Sequence, residues 1–138
     1  MIEAVIKKLI DEKLDLVTNN FPPSYPEGLD CEAFTFEVLE MMEKSAKDSF
    51  EREHVTQYIY HNSDKFKIGN VSNDRQLSFY RWTIDNQEDY EMVKAIYAKR
   101  KKNTSKEIML MDEILDILEK NPEISLINSQ VKRSTRYQ

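Results

Sequence analysis

The strongest constraint on the fold lies in residues 79–90, where a strand pattern changes into a helix pattern at one carboxylate. Residues 79–84 are rich in aromatic and β-branched side chains, which predicts a buried strand. From residue 88 the apolar side chains follow helical spacing: Tyr90, Val93, Ile96 and Tyr97. Asp85 thus ends a predicted strand, where ligands bind in open α/β sheets. Two interpretations stay open: a ligand for a hard cation that carries a nucleotide phosphate, or, with Asn86, the N-cap of the next helix.

Composition narrows the class of protein. The 138 residues match the size of one domain, and the formal net charge of -5 argues against a general nucleic-acid binder. No apolar run is long enough to span a bilayer, and the single cysteine, Cys31, fits a reducing cytoplasm. The only glycines are Gly28 and Gly69, so a glycine-rich phosphate-binding loop is not expected in this chain.

Apolar periodicity predicts alternating helices and strands, which is typical of an α/β fold that this chain enters part-way. Helices are predicted over residues 2–13, 36–47, 49–62, 88–102 and 106–120. Strands are predicted over residues 14–18, 29–36, 66–71 and 79–84. Local signals add three expectations: Ser49 as an N-cap with Val55, Tyr58 and Ile59 buried after it, Thr104 or Ser105 as a second N-cap, and Pro122 as a helix stop. The tail, residues 124–138, has few apolar residues and is expected either to dock loosely or to be disordered on its own.

A long loop is predicted over residues 19–30, and it contains three of the four prolines. A rigid loop of this length is usually functional in a compact domain. Asp30 and Glu32 follow it on one face of a predicted strand, where they can bind a cation, accept sugar hydroxyls or face water. Arg52 and His54 open a later helix, and Arg52 is either a forked donor for an anion or a surface ion pair. His54 has no second histidine at metal spacing.

Several motifs occur together in a recognisable order: Asn20-Phe-Pro-Pro-Ser-Tyr-Pro-Glu-Gly-Leu-Asp-Cys-Glu-Ala-Phe, Arg52-Glu-His-Val-Thr-Gln-Tyr-Ile, Lys65-Phe-Lys-Ile-Gly-Asn-Val and residues 77–89. In this order the chain resembles the carboxyl-terminal half of a cytidylyltransferase of the spore coat polysaccharide biosynthesis protein F type. That group is similar to the synthetases that activate acidic sugars, such as 3-deoxy-manno-octulosonate and sialic acid, as CMP-sugars. The resemblance implies a three-layer α/β/α fold of the nucleotide-diphosphosugar transferase type, present here without its amino-terminal nucleotide-binding half. It places this partial α/β domain at residues 1–103 and a helical extension at residues 104–138.

The resemblance also implies site residues. The family's sugar-pocket loop corresponds to Tyr25, Gly28, Asp30 and Glu32, with Arg52 and His54 nearby. Its Trp-Thr-Val-Asp-Thr-Pro-Glu-Asp motif places a Mg²⁺ ligand at Asp85. This chain departs from that motif at Asn86 and Gln87, where the family has threonine and proline.

The family's CTP-binding loop and its Gly-Asp motif have no counterpart in this sequence. Without that cationic loop the triphosphate charge has no preorganised cradle, so the chain alone is predicted to be inactive. The resemblance therefore predicts part of an enzyme that joins CTP and a sugar into CMP-sugar and pyrophosphate for surface polysaccharide synthesis. The alternative is a non-catalytic sugar-binding or dimerisation domain. The expected partner is a second copy or an amino-terminal half, with neither nucleic acid nor membrane involved.

Overall fold

The computed structural model describes residues 1–100 and 108–133 and divides the chain into two compact units. The first unit comprises Met1–Tyr25 and Leu29–Ser78. The second comprises Pro26–Gly28 and the described part of Phe79–Arg133. The predicted boundary between residues 103 and 104 lies outside the described residues. No helix in the described ranges has the length and apolar content needed to cross a bilayer.

A three-stranded sheet forms the centre of the first unit. Its strands are β1 (Leu16–Thr18), β2 (Glu32–Phe34) and β3 (Ile68–Asn70). β1 is central, antiparallel to β2 and parallel to β3. All three strands lie where the periodicity predicted them, although each is shorter than its pattern. Leu16 and Val17 are fully buried because both faces of β1 are covered.

Helices cover the two faces of this sheet, so the first unit has three layers. α1 (Ile2–Asp11) lies on the face of Val17 and Gly69, since Lys8 Cε is 3.1 Å from the point where a Cβ on Gly69 would stand. On the other face, Leu16 packs against α2 (Phe36–Ser45) and α4 (Gln57–His61) through Val38, Met42 and Ile59. The α/β/α layering predicted from the resemblance is thus present in this unit.

The predicted helix over residues 49–62 is wrong as one element. It is divided into α3 (Ser49–Glu53) and α4, followed by a short 3-10 helix (Ser63–Lys65). His54 takes an extended conformation with φ -109° and ψ 95°, and two β-branched residues follow it. Val55 is exposed in this break, contrary to prediction. Asp48 is the N-cap of α3 in place of Ser49, because its carboxylate accepts the Phe50 N–H at 2.8 Å.

The predicted buried strand over residues 79–84 is also wrong. The segment makes only an isolated parallel bridge, between Arg81 and Glu27, and Phe79 and Ile84 are 71% and 58% exposed. A run of aromatic and β-branched residues does not form a strand without a partner strand to complete its ladder.

Three helices build the second unit around one apolar cluster. They are α5 (Gln87–Lys99), α6 (Met111–Lys120) and α7 (Pro122–Leu126). Their buried residues are Met92, Ile96, Leu118 and Ile124. Tyr90 and Tyr97, predicted to face the core, are exposed, because the buried stripe of α5 is turned towards Met92 and Ile96.

The carboxyl-terminal part of the described chain also departs from the sequence predictions. α6 begins at Met111, where the Glu113 carboxylate accepts the Leu110 N–H at 2.8 Å. The predicted caps Thr104 and Ser105 lie outside the described residues. Pro122 occupies the first turn of α7, so it starts a further helix after α6 has ended at Lys120. The predicted loose docking is wrong for residues 124–128, because Ile124 and Asn128 are buried in the second unit.

Candidate functional site

One carboxylate, Glu32, lies at the edge of the first unit's sheet where the parallel strands β1 and β3 end. In the register of the sheet, Thr18 of β1 lies between Glu32 of β2 and Asn70 of β3. Because side chains alternate along a strand, these three share the face of Leu16, which is packed against α2 and α4. The carboxyl ends of parallel strands are where open α/β sheets bind ligands. Thr18 is fully buried and the Asn70 side chain bonds to the loop backbone, so Glu32 is the acceptor that this edge offers to a ligand.

Two hydroxyl groups from the α4 region hold the Glu32 carboxylate. Thr56 Oγ1 donates to Glu32 Oε2 at 2.9 Å, and the Tyr60 hydroxyl donates to Oε1. Burial raises the pKa of Glu32, the hydrogen bonds from Tyr60 and Thr56 oppose that rise, and the nearby charge of Asp30 adds to it, so the pKa lies above its usual range. A carboxylate can accept about four hydrogen bonds, so Glu32 keeps capacity for hydroxyl groups of a ligand.

The long loop is fixed at its base and at its tip within the first unit. Asn19 closes the base: its amide donates to the Leu29 carbonyl and its Oδ1 accepts the Cys31 N–H, both at 2.8 Å. Asn70 Oδ1 accepts the Phe21 N–H at 3.2 Å, next to the cis Phe21–Pro22 peptide bond. The Phe21 ring meets the Tyr60 ring edge-on, 5.4 Å between centroids. The loop is therefore held beside the hydroxyl that supports Glu32.

The structure gives Arg52 and His54 partners other than Glu32. Arg52 Nη1 lies 2.9 Å from Glu43 Oε2 on an exposed surface, which is the ion-pair interpretation of Arg52. His54 stacks edge-on against Phe50, 4.4 Å between ring centroids. Tyr25 is half-buried at the end of the loop segment that belongs to the first unit. The charge of Asp30 acts on the Glu32 carboxyl, and the common sugar pocket of these residues stays a prediction.

A second cluster of charges lies in the second unit around one guanidinium, Arg81. Arg81 Nη1 lies 2.9 Å from Glu27 Oε2, Nη2 lies 2.6 Å from Asp85 Oδ2, and Nε lies 3.0 Å from Asp89 Oδ1. The Arg81 side chain is almost fully buried, as is that of Glu27. The hydrogen bond to Asp89 is the main reason that the pKa of Arg81 is raised above its usual value. Three carboxylates thus surround one fixed cation.

Asp89 is the buried anchor of this cluster and has no exposed surface. Besides Arg81, its carboxylate accepts the Asn128 Nδ2–H at 2.9 Å and the Asp85 N–H at 3.1 Å. Burial acts to raise the pKa of Asp89, but the donors from Arg81, Asn128 and the Asp85 backbone together lower it below its usual range. Asn128 also donates to the Arg81 carbonyl at 2.9 Å, which ties the segment after α7 to the cluster.

Gly28 allows the loop backbone to run against residues 80–83. Its φ of 101° lies in the left-handed region, and a Cβ there would stand 2.8 Å from Thr83 N. Glu27 N–H donates to the Tyr80 carbonyl at 3.0 Å, and Trp82 N–H donates to the Glu27 carbonyl at 2.7 Å. These bonds deliver the Glu27 carboxylate to Arg81. Gly28 therefore has a backbone role in the second unit.

Asp85 lies at the exposed end of the charge cluster, with 66% of its side chain accessible. The N-cap of α5 is its neighbour, because Asn86 Oδ1 accepts the Asp89 N–H at 3.0 Å. The Asp85 Oδ2 atom takes the bonds from Arg81 and Thr83. Within residues 1–100 and 108–133, no three His, Cys, Asp or Glu side chains are arranged to hold a metal ion. The role of Asp85 as a Mg²⁺ ligand stays a prediction.

A cleft of about 530 Å³ adjoins this cluster inside the second unit. Aromatic side chains form much of its lining: Phe79, Tyr80 and Trp82. Arg81 and Asn128 reach the same cleft, so it combines apolar walls with a few polar groups, which is the usual composition of a small-molecule site.

The chain is similar to known proteins in sequence and in overall structure. No family model matches the chain. An uncharacterized protein of Methanocaldococcus jannaschii is 36% identical over 135 residues, which covers 93% of this chain and 54% of that protein. A solved cytidylyltransferase from Leptospira borgpetersenii serovar Hardjo-bovis superposes with a TM-score of 0.78 at 30% identity, covering 96% of this chain and 53% of that one. The chain resembles part of a cytidylyltransferase. It spans about half the length of both proteins. The resemblance inferred from the sequence motifs is therefore confirmed at the level of cytidylyltransferases, with a mixed α/β fold that corresponds to part of the solved enzyme.

Sequence reasoning missed several residues of the two clusters. Thr56 and Tyr60 were not recognised as partners of Glu32, although their spacing of four places them on one helical face. For Glu27 and Arg81 a signal was available, because the quoted motifs contain both residues and their charges are opposite. Asn128 had no local signal, because its partners lie about forty residues away in the sequence.

Proposed function

We propose that this chain is the sugar-binding part of a cytidylyltransferase that joins CTP and an acidic sugar into CMP-sugar and pyrophosphate. The observation that carries the proposal is the superposition of nearly the whole chain on a solved cytidylyltransferase. We assign it to the carboxyl-terminal half of the spore coat polysaccharide biosynthesis protein F type, acting in the cytoplasm with the remaining half of the fold. The motifs at residues 20–34, 52–59 and 77–89 support this finer assignment.

The sugar site of this proposal is centred on Glu32. A partly buried carboxylate that is held by Thr56 and Tyr60 accepts sugar hydroxyls in a fixed direction, which positions the attacking oxygen. Asp30 supplies a second acceptor beside it. Tyr25 of the same unit would line this pocket, as the family resemblance implies.

Binding of the sugar's acid group by Arg52 requires that the Arg52 side chain change its contacts. Arg52 suits a carboxylate by its forked donors, and His54 stands two residues later. Arg52 would have to exchange its exposed contact with Glu43 for the sugar. Such surface ion pairs contribute only about 0–1 kcal/mol, so the exchange is inexpensive.

The reaction forms a bond from a sugar hydroxyl oxygen to the α-phosphorus of CTP and breaks the bond to pyrophosphate. Bound Mg²⁺ supplies charge neutralisation on the triphosphate. Asp85 would hold that ion with one carboxylate, which fits a cation that takes most of its ligands from phosphates and water. Arg81 keeps the Asp85 side chain oriented through its 2.6 Å contact.

The test mixes this chain with the segment of the Leptospira cytidylyltransferase that it does not cover, and measures pyrophosphate release from CTP with Mg²⁺. Sialic acid and 3-deoxy-manno-octulosonate are the sugars. We expect release from the mixture and none from this chain alone. Glu32→Gln should reduce release by about tenfold or more, because one charged acceptor is lost, whereas Glu37→Gln on the exposed side of α2 should not.

Two outcomes would change the proposal. Release that is no greater than the sum of the separate segments, although the mixture binds, would reject nucleotidyl transfer. Sugar binding by this chain that depends on Glu32, without any turnover, would instead support the alternative of a non-catalytic sugar-binding domain.

A further inference from the structure

The cleft of the second unit has a wall of aromatic rings in series. The Tyr80 ring centroid lies 4.3 Å from that of Phe79 and 5.7 Å from that of Trp82, with interplanar angles of 41° and 33°. Because each ring packs against the next, the three form a ridge along the segment rather than a cage around one point. Such a ridge suits an extended ligand that presents apolar groups in succession along it.

The helices α6 and α7 supply an apolar lining that is open to solvent at its rim. Leu118 and the α5 residue Met92 are buried at the base of the cleft, and Pro122 lines it from α7. At the rim, Leu126 is 69% exposed and Phe79 is 71% exposed. Since small-molecule sites enclose most of their ligand, these open apolar rims favour a segment of another chain that lies across the cleft.

The aromatic wall also contains a polar group without a partner. The Trp82 Nε1–H is buried, and no acceptor for it is found among residues 1–100 and 108–133. A buried donor without an acceptor is costly to the free protein, and buried tryptophans usually donate this N–H to an oxygen. A ligand carbonyl that enters beside the Trp82 ring would remove this cost. The cleft thus favours a ligand that has an acceptor as well as apolar surface.

The charges beside the cleft favour a basic ligand. Arg81 is surrounded by three carboxylates, those of Glu27, Asp85 and Asp89, so the cluster carries a formal excess of two negative charges. Glu119, which lines the cleft, adds a carboxylate at the exposed end of α6. A positive group of the ligand is attracted to this surface, whereas a phosphate or carboxylate group is repelled.

We propose that this cleft binds a proline-rich segment of a partner protein that carries a basic residue, in the extended polyproline II conformation. Aromatic-lined grooves are the sites that such segments occupy. Their carbonyl oxygens make no internal hydrogen bonds, so one of them can accept the Trp82 N–H. Proline has no backbone N–H, so an apolar cleft leaves no donor of the ligand unsatisfied. The proposal does not depend on nucleotidyl transfer.

Fluorescence titration and calorimetry of the full 138-residue chain test the proposal, because Trp82 is the only tryptophan and lines the cleft. The probe is a synthetic peptide of consecutive prolines that ends in an arginine amide. We expect a dissociation constant of about 10–100 µM. A peptide of glycine and serine with the same length and the same arginine should bind at least about tenfold more weakly, since its flexible backbone must be ordered. Glutamine in place of the arginine should weaken binding by about threefold.

Two variants locate the bound peptide, with calorimetry as the measurement. Trp82→Phe keeps an aromatic ring but removes the N–H, and should weaken binding by about tenfold. Leu126→Ser removes an exposed apolar side chain of the rim, and should weaken binding by about fivefold or more. Ile84→Ser is the matched control, since Ile84 is a 58% exposed aliphatic residue of the same unit outside the cleft, and it should leave the affinity unchanged. Circular dichroism confirms that each variant is folded.

Three results would overturn the proposal. The first is the absence of both binding heat and a change in Trp82 fluorescence up to about 1 mM proline peptide. The second is equal affinity for the proline peptide and the glycine–serine peptide, or an affinity that Leu126→Ser leaves unchanged. The third is binding of the complementary Leptospira segment that Leu126→Ser abolishes, without binding of the proline peptide, which would assign the cleft to that occupant instead.

Discussion

Replacing Asp89 with asparagine should destabilise the second unit by about 3 kcal/mol. The fully buried carboxylate takes two hydrogen bonds from Arg81 and one from Asn128. Charge-assisted hydrogen bonds contribute about 1.5–3 kcal/mol each, and breaking a buried pair costs about 3–5 kcal/mol. Glu27 and Asp85 still face the guanidinium in the variant, so the lower end of this range applies.

Urea unfolding followed by tryptophan fluorescence measures this loss, because Trp82 is the only tryptophan and belongs to the second unit. Asp85→Asn is the matched control: it removes a carboxylate from the same arginine, but at a position that is two-thirds exposed. It should cost less than about 1 kcal/mol. Equal losses for the two variants, or a loss below about 1 kcal/mol for Asp89→Asn, would show that the cluster does not stabilise the unit.

The pH dependence follows from the lowered pKa of Asp89, whose carboxylate is held by Arg81, Asn128 and a backbone N–H against the cost of burial. Its folded pKa is below the unfolded value of about 3.9, so its contribution to stability is complete above that value. That contribution is lost as the pH falls through the folded pKa. The free energy of unfolding of the original protein should therefore fall more steeply below about pH 4 than that of Asp89→Asn.

Two further predictions concern single positions. Gly28→Ala should lower the free energy of unfolding by more than about 2 kcal/mol, because the backbone is left-handed and the new Cβ meets the backbone of residues 82 and 83; Gly69→Ala should cost less, since the atoms it meets are ends of mobile side chains. Equal losses in urea unfolding would contradict this reasoning. Tyr60→Phe should raise the pKa of Glu32 further, because it deletes a hydrogen bond that holds that pKa down against burial. Carboxyl ¹³C NMR titration measures it, and an unchanged or lower pKa would refute the assigned contact.

The elements that the sequence predicted well are those whose signal is local. The periodicity of residues 2–11 and 36–45 is set by burial of one helix face, and both helices are present. The short strands β1 and β3 were also predicted from a local pattern of apolar residues. The segment over residues 79–84 shows the limit: its composition is that of a strand, yet strand formation depends on a partner that composition does not reveal.

The candidate sites divide in the same way. Asp30 and Glu32 were predicted side by side because residues two apart share one face of a strand, but β2 begins only at Glu32, so this pairing stays a prediction. The link between Arg81 and Asn128 was not predicted, because it depends on how α7 packs against α5 rather than on any pattern within one element. Whether Asp85 or Asn86 caps α5 was decided only by geometry, since both residue types serve as caps.

The second unit is discontinuous along the chain, because it includes the short segment Pro26–Gly28. Its central arginine obtains one of its carboxylates, Glu27, from a point more than fifty residues earlier. Closing a loop of that length costs on the order of 3–4 kcal/mol of chain entropy. During synthesis, Glu27 is made before Arg81, so their ion pair can form only after Arg81 has been added to the chain. Cleavage at residue 79 would leave Pro26–Gly28 on the other fragment, so no single cleavage yields both units whole.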